Sequence, residues 1–419
     1  MPGIRGDGKL HITFNEMGHG DNVLISLPNG KLVVIDSGSM RWDGNYWNPP
    51  QTADVLREHA MRVALADQRF LLNNKLIDLL ILTHPDKDHC IEVSGLFTFT
   101  PLDNTFQPAT KASKAFYSGA FSLYGDHGVP FILLNMGHAD EIYALTLNQT
   151  YGHYKRVLAH NYHGTTLSNS TDFPASADNT AELLKKSRVA ATNNFVKVLD
   201  GTQGVGPACA VYFLASNVEQ YPNLNDTNSA DNRGSIVTMI VFGDKKFLFM
   251  GDGTFNTENY LIQTYGNRIQ NVELVHIPHH ASFATSSSYP GHPPTPPNIA
   301  VDFVGQVNPR YAVITAAYDT GPQLGLPRYE IIDRYHQGAR LLNKPIAATA
   351  DEKRISCYQK QQIVKVLRRD KFGTATKTSR VERSVLVDYP ATKHIWWTGT
   401  HGPIDFDYED KGGGNVDGV

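Results

Sequence analysis

Leu79-Leu80-Ile81-Leu82-Thr83-His84-Pro85-Asp86-Lys87-Asp88-His89 is the stretch whose reading decides the fold. A short apolar run closed by Thr and Pro reads as a buried strand entering a loop. Within six residues that loop offers two His and two Asp. A strand end fixes the starting point of such side chains, as a metal site needs. Carboxylates beside neutral imidazoles suit Zn, Mn or Fe better than Mg alone.

Working outward, three more apolar segments end in groups that can hold or support a metal. Leu10–Phe14 and Asn22–Leu27 read as strands, and Pro28-Asn29-Gly30-Lys31 as a hairpin turn, because Asn-Gly readily takes positive φ. Leu32–Ile35 returns as a strand and stops at Asp36-Ser37-Gly38. Ser235–Phe242 and Lys246–Met250 form a second strand pair, which ends at Gly251-Asp252-Gly253. Val272–Ile277 leads into Pro278-His279-His280-Ala281-Ser282. Singly these are ambiguous, since Asp36 can cap a turn and a His pair can lie on the surface. Their shared position at strand ends carries the reading, because loops at one edge of an α/β fold converge on its site.

The 419 residues are 41% apolar, enough for a large core, and carry a net charge of −3, which gives no global attraction for nucleic acid. Cys90, Cys209 and Cys357 are few and far apart, excluding a disulfide framework and a CxxC zinc site. Met1–Lys9 has no apolar leader segment, and no run reaches membrane-span length. The expectation is a cytoplasmic protein without a membrane partner.

The spacing predicts helices over Thr52–Phe70, Asn256–Tyr265 and Arg328–Leu341, and a strand over Tyr311–Ala316. Residues 101–194, rich in Tyr, His, Asn, Ser and Thr, read as an insertion or cap outside the core, with helices over Ala139–Leu147 and Asn179–Asn193. Pro222–Arg233 reads as a loop. Lys353–Arg383 holds ten Lys or Arg against two acids. The expected organisation is one domain, 1–405, with the 101–194 insertion and the basic segment 353–383, then a disordered tail over 406–419.

The motifs together resemble the metallo-β-lactamase superfamily, whose H-x-[HD]-x-D-H signature stands here as His84-Pro85-Asp86-Lys87-Asp88-His89. The nearest likeness is to the metallo-hydrolase domain of the bacterial competence DNA-uptake channel family. Gly18-His19-Gly20-Asp21-Asn22-Val23, Ile35-Asp36-Ser37-Gly38, Phe247–Asp252 and Ile277–Ser282 carry it, over about 10–96, 225–288 and 308–341. The resemblance implies an α/β fold, a four-layer αβ/βα sandwich with insertions, and two divalent metal ions, Zn or Mn. Carried over by position, His84 and Asp86 would hold one metal, Asp88 and His89 the second. Asp252 would bridge them, and His280 would complete the second site, with His279 as its rival. Asp36 and Ser282 would support the ligands from behind. No spacing selects a further His ligand among His127, His138, His153, His160 and His163. Asp86 replaces the commoner His and tilts the site toward Mn. Gly325-Leu326-Pro327 lacks the family's polar group, and Ala281 stands where Gly is usual.

The resemblance implies a metal-dependent hydrolase cleaving phosphodiester bonds, with a nuclease acting on DNA or RNA as the leading expectation. Asp88 and Asp252 would hold the nucleophilic hydroxide, and His279 or His280 would assist the leaving oxygen. Lys365, Arg368, Arg369 and Lys371 are the candidate nucleic-acid contacts, because a local charge of about +8 can neutralise phosphates; a solvated hairpin is the alternative. Alternative functions are a small-molecule phosphodiesterase for cyclic nucleotides or choline-phosphate esters, a lactonase-type hydrolase and, last, a non-catalytic binding protein. A separately encoded sensor is a further candidate partner.

Overall fold

The computed structural model describes residues 5–42, 47–48, 67–70, 76–97, 111–118, 124–125, 128–129, 132–133, 137–147, 152–157, 183–185, 195–218, 231–282, 285, 303–317, 325–342, 355–369, 375–389, 395–398 and 404–409. The first sheet contains β1 (Leu10–Phe14), β2 (Val23–Ser26) and β3 (Leu32–Ile35). A small separate ribbon, β4 (Arg41–Trp42) and β5 (Trp47–Asn48), follows. The sheet continues with β6 (Leu76–Leu82), β7 (Lys111–Tyr117), β8 (Ala139–Leu147), β9 (Gly152–Val157) and β10 (Leu183–Lys185). Its nine strands run β10-β9-β8-β7-β6-β3-β2-β1-β20, where β20 is Ile404–Tyr408. The second sheet has seven strands in sequence order: β11 (Val196–Asp200), β12 (Cys209–Ala215), β13 (Val237–Phe242), β14 (Lys245–Phe249), β15 (Leu274–His276), β16 (Tyr311–Ile314) and β19 (Ile395–Trp397). β17 (Ile355–Arg369) and β18 (Ala375–Tyr389) form a separate two-stranded sheet, a long antiparallel hairpin.

Side-chain alternation assigns the layers. Ile12, Ile25, Val33, Leu79 and Ile81 from the first sheet meet Val211, Ile240, Phe247 and Leu274 from the second in one central core. Leu24, Val34, Leu80 and Leu82, on the opposite face, pack with Val93, Leu96 and Phe97 of the helix Val93–Phe97. Met239, Leu248 and Val275 pack with the helices Phe255–Tyr265, Phe303–Val307 and Tyr329–Leu342. The layers run helix, sheet, sheet, helix: a four-layer αβ/βα sandwich. From Leu79 to Leu82 β6 is buried on both faces, which explains the apolar run there. Each fully buried Leu or Ile there contributes about 1.5–3 kcal/mol.

β3, β6, β7 and β8 run parallel, as do β14, β15, β16 and β19. The loops after β3, β6, β14 and β15 therefore open at one edge, joined by the β1–β2 loop. No described helix is long and apolar enough to cross a membrane.

The structure corrects four expectations. Ala139–Leu147 is a strand, not a helix: Tyr143 lies opposite Phe116 of β7, with the rings stacked at 4.7 Å. That cross-strand pair overrides a spacing that also fits a helix. Leu183–Lys185, within the helix expected over Asn179–Asn193, pairs with β9; the rest of that span lies outside the described residues. The 101–194 segment does not stand outside the core, because β7 to β10 extend the first sheet. Alanines, not branched residues, fill its buried positions 112 and 115, so the strand signal is weak. The ordered chain also continues past Phe406, since β20 pairs with β1 and buries Phe406 and Tyr408. Most of Thr52–Phe70, most of Pro222–Arg233 and residues 410–419 lie outside the described residues.

Candidate metal centre

The centre begins at Asp36, the buried residue that ends β3 with φ of 56°. Its carboxylate accepts the Thr83 N–H at 2.7 Å and the Thr83 hydroxyl at 2.6 Å, which fixes the turn out of β6. The same carboxylate meets Nδ1 of His89 at 2.9 Å. The backbone then folds the ligand loop onto Ser37 and Gly38. Ser37 N–H donates to His89 O at 2.8 Å, and Asp21 N–H donates to Asp88 O at 2.8 Å. A Cβ on Gly38 would stand 2.0–2.2 Å from the Asp88–His89 peptide, so this approach requires glycine.

From the second sheet, Gly251 takes φ of 50° against Thr83 and delivers Asp252. Asp252 N–H donates to the Ser235 hydroxyl at 3.1 Å. His279, His280 and Ala281 all occupy the left-handed region, at φ of 51°, 51° and 62°. For non-glycine residues each such conformation costs about 1–3 kcal/mol and persists only where its surroundings impose it. The turn is held by His279 N–H to Gly251 O, by Ser282 N–H to His279 O, and by His280 Nδ1 against Thr315 O.

Four ligand atoms, one each from Asp88, His89, Asp252 and His280, lie within 4.8 Å of one another. His280 Nε2 is 3.4 Å from Asp88 Oδ2 and 3.6 Å from Asp252 Oδ1; His89 Nε2 is 3.2 Å from Asp252 Oδ1. His84 Nε2 lies 3.4 Å from Asp86 Oδ2 and 3.8 Å from Asp252 Oδ2, and His279 Nε2 lies 3.6 Å from Asp252 Oδ2. Nε2 of His84, His89 and His280 and Oδ1 of Asp252 are buried with no hydrogen-bond partner. Buried polar atoms are normally satisfied. Convergent imidazole and carboxylate atoms of this kind fit a divalent cation, so the cluster can hold a metal ion.

Electrostatics agree with a cation site. Burial opposes charge on Asp88 and Asp252, yet the surrounding histidines hold both carboxyls well below their ordinary range. Burial likewise opposes protonation of His89, but Asp252, Asp36 and Asp21 push it well above its usual value. His280 is pushed up to about 9 against its own burial, chiefly by Asp252 and Asp88. In the metal-free chain, protons answer the carboxylates' charge. Burial lowers His19, His276 and His279.

All the expected ligands and Asp36 meet here, and the buried cluster contains His280 where sequence left His279 as its rival. His279 sits higher, at the rim, with Nε2 3.1 Å from Asn232 Nδ2. Ser282 touches the site through the turn's backbone. His138 stacks on Phe97 in an outer layer, away from the centre. Lys371, His127, His160 and His163 lie outside the described residues.

Sequence reading gave no role to His19, Asp21, His276 and Thr315. His19 Nε2 meets Asp88 Oδ2 at 3.3 Å. Buried Asp21 accepts the Thr315 hydroxyl and lies 3.6–3.7 Å from His276, His89 and His280. The Gly18-His19-Gly20-Asp21 block was the available signal, since its glycine spacing marks a close backbone approach. The centre floors a cleft of about 440 Å³ lined by His19, Met40, Lys87, His279, Leu326 and the ligand loop.

No family model matches the chain, and no curated protein does. Solved structures similar to it include the metallo-β-lactamase fold protein YhfI from Bacillus subtilis, at 10% identity and TM-score 0.33, covering 79% of this chain and 92% of that one. The short form of human tRNase Z matches at 11% identity and TM-score 0.33, covering 73% and 92%. CmlA, a diiron β-hydroxylase from Streptomyces venezuelae, matches at 14% identity and TM-score 0.32; this chain spans half its length and 79% of itself is covered. The sandwich assignment rests on sheet order and layers, independently of these likenesses.

Proposed function

We propose that the chain is a metal-dependent hydrolase of phosphodiester bonds, with nucleic acid as its substrate class. The observation that carries the reading is the convergence of unpartnered buried ligand atoms on the floor of an open cleft. His84 and Asp86 would hold one cation, Asp88, His89 and His280 the other, and Asp252 both. Zinc or manganese would supply a lowered pKa for the attacking water and charge stabilisation at phosphorus. Lys87, exposed beside the cleft, offers a positive charge to a phosphate oxygen. His279, at the rim and held by Asn232, is placed to assist a leaving oxygen. The sequence blocks similar to the competence metallo-hydrolase domain support phosphodiesters over other esters.

The test is reconstitution. Chelator-stripped protein is reloaded with Mn or Zn, then assayed on bis(p-nitrophenyl) phosphate and on circular and linear DNA and RNA, with Asp88→Ala alongside. Hydrolysis that returns with metal and is absent from the variant is the expected result. Activity that survives metal removal, or metal-loaded protein inert on every diester, overturns the proposal.

A further inference from the structure

The long β17–β18 hairpin is the largest feature that the metal centre does not explain. Its base is built into the body. Ile355, Cys357 and Tyr389 are buried in the outer core with the helix Tyr329–Leu342, and the Tyr389 hydroxyl donates to Asp333 at 2.8 Å. A short connector, residues 325–328, ties that base to the catalytic edge. Leu326 lines the cleft, and Arg328 N–H donates to Ala281 O at 3.1 Å, next to His280. Tyr358 N–H donates to Pro327 O at 2.9 Å, and the Arg328 guanidinium donates to the Ser384 hydroxyl at 2.9 Å. The hairpin is rooted at the rim of the cleft.

Beyond this base, the register runs outward from Gln361 opposite Arg383 through Lys365 opposite Ser379 to Arg368 opposite Lys377. In this register Lys365, Arg368, Lys377 and Arg383 are all positions along the outer part of the one ribbon, past the buried base. Alternate residues along a strand are about 6.6 Å apart. This places a ladder of positive positions on a ribbon that starts at the cleft, in a chain whose net charge is −3. A ladder of this kind complements a polyanionic strand, whereas a small diester needs no such extension.

We infer that the distal β17–β18 hairpin is a binding arm for a polynucleotide strand that passes over the metal cleft. The inference rests on the phosphodiesterase reading for the cleft, but its own contact is with the sugar-phosphate backbone. Lys365, Arg368, Lys377 and Arg383 neutralise phosphates, so binding is insensitive to sequence and weakens with salt.

The test uses the full chain in chelator, so that binding is read without cleavage. Fluorescent 20-nucleotide single-stranded DNA and RNA are titrated by anisotropy at several salt concentrations. The fourfold variant K365E/R368E/K377E/R383E is expected to lose at least tenfold in affinity, with a shallower salt dependence by about 0.7 per lost cation. The charge-preserving variant K365R/R368K/K377R/R383K is expected to bind as wild type does, which separates charge from folding. Equal binding by wild type and the charge-reversed variant overturns the arm, as does wild-type protein that binds neither strand at low salt. Strand binding without hydrolysis of any diester would leave the arm standing and remove the phosphodiesterase reading. Hydrolysis of the small diester without strand binding would do the reverse.

Discussion

The two halves of the centre are built to different standards. The inner half, Asp88, His89 and His280, is backed by fixed acceptors: Asp36 behind His89 and the Thr315 carbonyl behind His280. His19 steadies Asp88 from the side. The outer half, His84, Asp86 and His279, is backed by weaker contacts. Nδ1 of His84 meets the hydroxyls of Thr83 and Ser235, at 3.2 and 3.4 Å, with no carboxylate or carbonyl behind it among the described residues, and the Asp86 side chain is 46% exposed. A carboxylate behind an imidazole fixes its tautomer and raises its basicity, and a hydroxyl does so less. The difference teaches that the inner ligand atoms are held in place by the fold more firmly than the outer ones.

Removing the group common to both halves has the largest expected effect. Asp252→Ala should abolish tight binding at both positions and lower diester hydrolysis by at least 1000-fold, about 4 kcal/mol in the barrier. Titration calorimetry and plasma emission on desalted protein would count the bound metal. Retention of one tightly bound cation per chain would break the symmetry assumed for Asp252 and assign it to the outer half alone.

The next effect separates the halves. Asp36→Asn keeps an acceptor for Thr83 but removes the charge behind His89, and should weaken the tighter cation by about 10- to 100-fold. Ser235→Ala, which removes a hydroxyl behind His84 and the acceptor of the Asp252 N–H, should weaken mainly the looser cation, and by a few-fold at most. Competition against a chromogenic chelator resolves both. Equal losses would mean that the two positions share one supporting network.

The same contrast explains what could be read from sequence. The inner ligands and Asp36 stand at the ends of strands with strong apolar signals, so β3, β6, β14 and β15 could be placed, and with them the direction of each ligand. Asp21 and Thr315 meet through a tertiary contact 294 residues apart; the glycines beside Asp21 mark a close approach but not its partner, and nothing local marks Thr315. The extension of the first sheet was missed for a related reason. β7 fills two of its four buried positions with Ala112 and Ala115, and β8 has a spacing compatible with either period. Sheet neighbours, not local propensity, decide such segments.

His11 supplies the smallest effect and a control on the whole contrast. Like His89 it is buried among carboxylates, but both its ring nitrogens have partners: Asp407 at 2.5 Å and Asp7 at 3.0 Å. It has no ligand atom left for a cation, and the imidazolium itself meets the charge. Burial opposes that proton, but Asp407 and Asp7 raise the pKa above the ordinary 6.5. A raised folded value means that the stabilisation is complete below about pH 6.5 and disappears as pH rises through the folded pKa. The contact joins β1 to β20, so the loss would loosen the edge of the first sheet. Metal-free wild type should therefore exceed His11→Gln in melting temperature at about pH 6 by a few degrees, and the gap should close toward about pH 9. A gap that stays constant over that range would show that His11 stabilises the edge as a neutral hydrogen-bonding group. Carboxylates around a buried histidine would then be no guide to whether it carries a proton or awaits a metal.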